Sequence, residues 1–209
     1  MSRLDLQKCI VGSVFTNCYF LKNKETGEML IIDPGDNAEK IEQKILEMQG
    51  KPVAILLTHG HFDHATGAGE LAQLLHIKIY AQEKEKETLE NPQLNLSGWQ
   101  GSELVFYADE YLKDEQEIDL AGFHIRVFLT PGHTVGGCCY YFPYQNTLFS
   151  GDSLFQTSIG RTDFPKGSAS QLIHAIREKL MPLPDETTVY TGHGDMTTIG
   201  TERMYNPYL

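Results

Sequence analysis

Thr58-His59-Gly60-His61-Phe62-Asp63-His64 places three histidines and one aspartate within six residues. The stretch follows the apolar run 53–57, which is typical of a buried strand. Gly60 permits a tight backbone path between the first two histidines. Residues Ala65 to Leu75 predict a helix, so the end of the histidine-rich stretch is expected near a helix N-terminus. The rest of the chain is interpreted around this strand, loop and helix.

The chemistry of this stretch is that of a metal site, because imidazole and carboxylate are ligands of zinc, iron and manganese. The alternative is a polar loop that contains histidines by chance. A cluster this dense, in a chain of 209 residues with eight histidines, favours metal binding. Adjacent side chains such as Asp63 and His64 diverge, so the cluster has enough ligands and angular spread to begin two sites.

Three further candidate ligands occur in the same local context, each after an apolar strand and a glycine. They are His133 after the strand 123–129, Asp152 after 147–149, and His193 after 187–190. Loops at one edge of a rigid sheet are where functional residues concentrate. We therefore expect these loops to converge on the first cluster.

The ligand count then suffices for two metal ions. The first site would take His59, His61 and His133, the second would take Asp63, His64 and His193, and Asp152 could bridge them. Each ion has too few protein ligands for a closed structural site, which is the pattern of a catalytic centre. Two ions about 3.5–4 Å apart can share a hydroxide that is nucleophilic at neutral pH. Asp63 and Asp152 are thus candidate catalytic residues as well as ligands.

Composition and charge exclude several classes of protein. The formal net charge is −11 and no basic run of five residues occurs, so we expect no nucleic-acid partner. No apolar stretch approaches the roughly 18 residues of a membrane span, and the N-terminus lacks a signal-peptide pattern. These features predict a cytoplasmic protein without membrane association. The cysteines are expected to be reduced core residues.

The remaining segments suggest one domain over residues 1–209, since no linker or repeat divides the chain. Cys9 to Val14 and Asn17 to Lys22 predict a hairpin, and short mixed strands are expected from Leu104 to Leu120. Glu83 to Glu90 is charged and helix-prone without an apolar face, so it is expected on the solvated surface. Trp99 lies in a loop and is expected to anchor it by packing; the alternative is a substrate-facing side chain.

Four motifs, in this order and spacing, resemble the metallo-β-lactamase superfamily over nearly the whole chain. They are Thr-His-Gly-His-Phe-Asp-His at 58–64, Pro-Gly-His-Thr at 131–134, Gly-Asp-Ser-Leu-Phe at 151–155 and Gly-His-Gly at 192–194. The resemblance implies an α/β (α+β) fold, a four-layer αββα sandwich with the metals at one edge between two sheets.

Within the superfamily the chain is similar to the glyoxalase II group, in its short bacterial form. The stretches 158–165 and 198–202 carry that likeness, and an aspartate at position 152 fits it. Lactamases generally have a cysteine there and a secretion signal, which argues against a lactamase. The chain ends at Leu209, so it is expected to lack the C-terminal helical domain with which full-length enzymes hold glutathione. The tyrosine with which those enzymes contact glutathione is also missing from the stretch 161–163.

The resemblance implies a metal-dependent hydrolase that cleaves an acyl thioester of the hydroxyacylglutathione kind through a metal-bridging hydroxide. Two divalent ions are expected, with zinc first and iron or manganese as alternatives. A mononuclear-iron persulfide dioxygenase of the same superfamily is the alternative, using His59, His133 and Asp152. A non-catalytic metal-binding module is the alternative of another class.

Two residues near the ligands have open roles. Asp33 could orient a ligating imidazole from outside the metal shell, or it could simply form the turn before Pro34. Arg161 could hold a substrate carboxylate, or it could form a structural ion pair with Asp163.

Overall fold

The strand Thr16–Asn23 sends alternate apolar side chains into two different cores, because successive side chains of a strand point to opposite faces. Phe20 packs with Ile41 and other residues of one core, whereas Tyr19 and Leu21 pack in a second core. Strands with both faces buried read as continuous apolar runs, and six of the eight positions here are buried in succession. This strand is therefore an interior layer.

The computed structural model describes residues 4–209, and its largest elements are two six-stranded sheets. The first sheet has the order β1-β2-β3-β4-β5-β6, with β1 to β3 antiparallel and β3 to β6 parallel. Its strands are Leu4–Val11, Thr16–Asn23, Glu28–Ile32, Lys51–Leu56, Lys78–Gln82 and Glu110–Leu112.

The second sheet has the order β14-β13-β10-β9-β8-β7, in which only the β10–β13 pair is parallel among the described residues. Its strands are Glu117–Leu120 (β7), Phe123–Leu129 (β8), Cys138–Phe142 (β9), Thr147–Gly151 (β10), Thr188–Thr191 (β13) and Thr197–Thr198 (β14). A two-stranded hairpin, Leu154–Phe155 (β11) and Ser158–Ile159 (β12), lies outside both sheets.

The helices cover the outer faces of the two sheets. They are Ala38–Met48 (α1), Phe62–Ala65 (α2), Ala68–Leu75 (α3), Lys86–Glu90 (α4), Ala169–Ala175 (α5) and Ile199–Tyr205 (α6). Residues of α1 and α3 share a core with β2, β3 and β4, and residues of α5 share another with β8, β9 and β10. The third core lies between the sheets. The order is helix, sheet, sheet, helix, so the expected αββα sandwich is confirmed.

The hairpin of β1 and β2 is confirmed, with Cys9 directly opposite Cys18 in its register. All four cysteines are free and buried, as expected. No helix within residues 4–209 combines the length and apolarity required to cross a bilayer.

Two local predictions were wrong. The helix expected over 65–75 is interrupted, because Gly67 lies against the turn after β3 and donates its backbone N–H to the Pro34 carbonyl at 2.9 Å. The mixed strands expected from Leu104 begin only at Glu110.

Candidate metal centre

The four loops that carry candidate ligands, and the turn that carries Asp33, leave the sheets at the same edge. β3 and β4 are parallel neighbours, so Asp33 and the 58–64 loop follow strand ends that lie side by side. In the second sheet β8, β10 and β13 run in one direction, which brings together the loops that follow them. The two sets are joined across the sandwich, since Cys138 N–H donates to the Thr58 carbonyl at 2.9 Å.

The first ligand group consists of His59, His61 and His133, all of which are buried. Nδ1 of His61 lies 3.1 Å from Nε2 of His59 and 3.0 Å from Nε2 of His133. Three imidazole nitrogens that converge in this way present their lone pairs to one point. They can hold one metal ion.

The second ligand group consists of Asp63, His64 and His193. Nε2 of His64 lies 3.3 Å from Nε2 of His193, and Oδ2 of Asp63 lies 3.2 Å from Nε2 of His193. Thr16 donates its hydroxyl to the same Asp63 oxygen at 2.8 Å, which fixes the carboxylate. This group can hold a second ion.

Asp152 lies between the two groups. Its Oδ1 is 3.5 Å from Nε2 of His64, and its Oδ2 is 3.5 Å from Nε2 of His133. Oδ1 is also buried without a hydrogen-bond donor. A buried carboxylate oxygen without a donor is costly unless a cation or donor reaches it. The donor set and this orphaned oxygen therefore fit metal ions.

Hydrogen bonds outside the ligand groups fix the tautomers of three histidines. Asp33 accepts from Nδ1 of His64 at 2.9 Å, and the Arg161 carbonyl accepts from Nδ1 of His133 at 2.8 Å. Thr58 donates its hydroxyl to Asp33 at 2.7 Å, so its oxygen can accept from Nδ1 of His59 at 3.2 Å. Each contact keeps the proton on Nδ1 and leaves the Nε2 lone pair for a metal.

The comparison with known protein families agrees with this geometry. The sequence model of the metallo-beta-lactamase superfamily matches residues 11–193. The chain belongs to the metallo-β-lactamase superfamily. Its members include metallo-hydrolases, and this chain has the buried His/Asp cluster that such chemistry requires.

Two relatives within the superfamily match almost the whole chain. The probable metallo-hydrolase YqgX of Bacillus subtilis is 40% identical over 95% of this chain and 94% of its own length. The hydroxyacylglutathione hydrolase GloC of Haemophilus influenzae is 40% identical over 92% of each chain.

Two solved metallo-β-lactamase-fold structures are similarly close. The BLEG-1 B3 metallo-beta-lactamase superposes with a TM-score of 0.93 and 40% identity, covering 98% of this chain and 99% of that one. TTHA1623 in a di-iron-bound form has a TM-score of 0.84 and 33% identity, covering 97% of this chain and 100% of that one.

The electrostatics of the superfamily site differ between its two ligand groups. Burial lowers the pKa of His59, His61 and His133 below the ordinary histidine range, so these imidazoles are neutral, as ligation requires. Burial would raise the pKa of Asp63, but His64 and a hydrogen bond with His193 outweigh it and hold that pKa to about 2. Burial would also raise the pKa of Asp152, but His64 lowers it, so both carboxylates are ionised. Burial would lower the pKa of His64 and His193, but these carboxylates raise both, that of His193 to about 10.

A cavity of about 480 Å³ opens directly above the ligands. Metal-site residues form its floor, and its walls are mainly apolar: Val14, Leu96, Trp99, Phe155, Ile159 and Phe164. Trp99 is 58% exposed and meets Phe164 edge-on, with ring centroids 6.1 Å apart. The open position of the ring on the cavity wall favours the substrate-facing alternative over the packing anchor, and that role stays a prediction.

The seven predicted ligands are all brought together at this site, and Asp33 touches one of them. Arg161 lies on the cavity lining, where its guanidinium pairs with Asp163 at 2.8 Å and lies 4.4 Å over the Phe164 ring. The ion-pair alternative is the contact present here, and the substrate-binding role of Arg161 stays a prediction.

Sequence reasoning missed Glu85. The expectation of a solvated surface segment over 83–90 was wrong, because Glu85, Thr88 and Leu89 are buried. Their i, i+3, i+4 spacing is the helical pattern of an inward face, which was a usable signal. Burial raises the pKa of Glu85, and three groups of the ligand loops donate hydrogen bonds to it.

Proposed function

We propose that the protein is a metal-dependent hydrolase of acyl thioesters of the hydroxyacylglutathione kind. The observation that carries the proposal is the position of Asp152, whose two oxygens each lie 3.5 Å from a histidine of a different ligand group. Two open sites that share a carboxylate suit hydrolysis better than a structural role. The likeness to hydroxyacylglutathione hydrolase GloC supports a thioester as substrate.

The proposed roles follow from the contacts of the side chains. One ion would be held by His59, His61 and His133, a second by Asp63, His64 and His193, with Asp152 contacting both. When bound, such ions lower the pKa of water and polarise a carbonyl oxygen. Zinc is the proposed metal, with iron or manganese as alternatives, since the similar TTHA1623 was solved in a di-iron-bound form.

The protein itself orients these groups and holds the substrate. Asp33 and the Arg161 carbonyl keep protons on Nδ1 of His64 and His133, so both Nε2 atoms stay available. Asp63 and Asp152 are the proposed catalytic carboxylates, and the hydroxyl of Thr16 fixes Asp63. The apolar cavity wall would bind the part of the substrate next to the thioester carbonyl and exclude water from it.

Release of thiol from a panel of acyl thioesters tests the proposal. The metal-loaded protein should turn over at least one member, and His61→Ala and Asp152→Ala should each lose at least a hundredfold in kcat/KM. His174→Ala is the matched control, because that side chain is 78% exposed and pairs with Glu178. Absence of turnover, or wild-type turnover in both ligand variants, would refute thioester hydrolysis by this site.

Metal content distinguishes the alternatives to hydrolysis. Protein purified anaerobically should hold close to two ions per chain. One iron per chain, with oxygen consumption on a persulfide, would favour the mononuclear-iron persulfide dioxygenase. Two bound ions without turnover of any substrate would favour a non-catalytic metal-binding module.

β-Lactam hydrolysis is the second candidate function. The observation that favours it is the likeness to the BLEG-1 B3 metallo-beta-lactamase, at 40% identity over 98% of the chain. A chromogenic cephalosporin assayed beside the thioesters separates the two. Thioester turnover should exceed β-lactam turnover in kcat/KM, and the reverse order would make the β-lactam the better substrate.

A further inference from the structure

Glu85 is a fully buried carboxylate that contacts both loops of the three-histidine group. Its Oε1 accepts the backbone N–H of Gly60, between His59 and His61, at 2.9 Å. Its Oε2 accepts the hydroxyl of Thr134, the neighbour of His133, at 3.0 Å. The same Oε2 accepts the backbone N–H of Gly136 at 2.8 Å. One side chain thus joins loops that lie more than seventy residues apart in the sequence.

Both loops also press directly on the segment that carries Glu85. A Cβ on Gly60 would lie 3.0 Å from the Leu89 side chain, and one on Gly136 would lie 2.3 Å from the Glu85 backbone nitrogen. At the Gly136 contact only glycine allows so close an approach. Both loops therefore pack closely against the segment that carries Glu85.

The geometry points to Glu85 as a positioning residue that sets the spacing of His59, His61 and His133, and so the affinity of that metal site. Residues outside the metal shell that orient its ligands typically change metal affinity 10–100-fold when they are replaced. Glu85 acts through loop backbone rather than by contacting a ligand side chain. The inference concerns metal affinity and holds whichever substrate the enzyme hydrolyses.

The hydrogen bonds of Glu85 explain why a carboxylate is needed at position 85. Gly60, Thr134 and Gly136 all donate to it, and two of these donors are backbone N–H groups that cannot reverse their role. Glutamine has the same shape but must turn its NH2 group towards either Gly60 or Gly136. One buried backbone N–H then loses its acceptor. A buried donor left without a partner costs its full desolvation penalty.

The effect should be confined to one ligand group. Asp33 contacts His64 of the second group directly, whereas Glu85, among residues 4–209, has no hydrogen bond to Asp63, His64 or His193. A general loss of stability would instead weaken both metal sites together. A loss of metal affinity at the three-histidine site alone therefore distinguishes a positioning role of Glu85 from a purely structural one.

The test is chelator competition on the zinc-loaded full-length protein, with retained zinc measured by elemental analysis. His61→Ala identifies the ion of the three-histidine group, and Asp63→Ala identifies the other. Glu85→Gln should weaken the His61-dependent ion 10–100-fold and leave the Asp63-dependent ion within threefold. Glu83→Gln, exposed on the same segment, should match wild type. Cobalt substitution should give an altered visible spectrum for Glu85→Gln, which a purely structural role would leave unchanged.

Two outcomes would overturn the inference: equal weakening of both ions, or no weakening of either. Should Glu85→Gln fail to fold, Thr134→Val removes only one donor to the carboxylate and is compared by the same measurements. It should give a smaller shift, again confined to the His61-dependent ion. If the chelator-competition curve of Thr134→Val superimposes on that of wild type, or if both ions are bound more weakly, the inference about Glu85 is wrong.

Discussion

Oδ2 of Asp33 lies 2.9 Å from Nδ1 of His64, and both side chains are buried. The same carboxylate accepts the backbone N–H of Thr58 at 2.8 Å and its hydroxyl at 2.7 Å. One aspartate outside the ligand groups therefore orients a histidine directly and, through Thr58, a second one. Hydrogen bonds thus connect Asp33, directly before Pro34, to the candidate metal centre.

Asp33→Asn should weaken metal binding at the Asp63, His64 and His193 group about 10–100-fold. An amide that donates to Nδ1 would move the proton of His64 to Nε2 and remove the lone pair that a metal needs. Chelator competition with elemental analysis measures the change. Asp36→Asn is the control, because Asp36 is exposed and its side chain accepts the backbone N–H of Asn37. Unchanged affinity in Asp33→Asn would show that the tautomer is not fixed by Asp33.

Gly192→Ala should disrupt the site sterically. A Cβ there would lie 2.1 Å from Oδ1 of Asp152 and 2.8 Å from Cε1 of His64, so the shared carboxylate must move. We expect metal affinity to fall at least tenfold and the free energy of unfolding to fall by about 1–3 kcal/mol, as for overpacking. Gly69→Ala is the control, since its Cβ meets nothing within 4 Å in α3. Wild-type zinc retention in Gly192→Ala would contradict this geometry.

The ligands were predictable from sequence because each carries a local signature. His133, Asp152 and His193 each follow an apolar strand and a glycine, and the sandwich brings such strand ends to one edge. Apolar runs were enough to place the strand that precedes each of these residues.

Other features leave a weaker mark in the local sequence, or none. Glu85 accepts hydrogen bonds from the backbone N–H groups of Gly60 and Gly136. Every residue type except proline has such a group, so the sequence does not show which distant ones a side chain will meet. The charged residues around Glu85 concealed its inward face. Helix α6 was not predicted, because its start depends on the Thr198 hydroxyl accepting from Thr201 N–H at 3.2 Å rather than on an apolar stripe. The exposure of Trp99 likewise depends on where its loop meets Phe164.

Asp114→Asn should reduce stability in a pH-dependent manner. Burial would raise the pKa of Asp114, but hydrogen bonds from Lys179 and the Leu129 backbone N–H lower it below 3.8. A depressed pKa stabilises the fold above pH 3.8, and the contribution is lost as pH falls through the folded-state value. We expect a loss of about 0.5–1 kcal/mol at pH 7 after solvent screening, and a smaller loss at pH 3.

Urea denaturation of the metal-stripped protein at both pH values measures the Asp114 effect. Asp119→Asn is the control, with a side chain that is 82% exposed. An equal loss for Asp114→Asn at pH 7 and pH 3 would mean that the ion pair with Lys179 contributes nothing.

Trp99→Ala should raise KM for thioesters with bulky apolar acyl groups about three- to tenfold and leave kcat nearly unchanged. The ring lies on the cavity wall and Trp99 is not one of the candidate ligands, so its loss should remove binding that is equal in ground and transition states. Stability should change little, because the side chain is 58% exposed. Steady-state kinetics on acyl groups of increasing size measures the effect, with the exposed Tyr144→Ala as control. If KM rose equally for small and bulky acyl groups, Trp99 would contact the thiol side of the substrate or none of it.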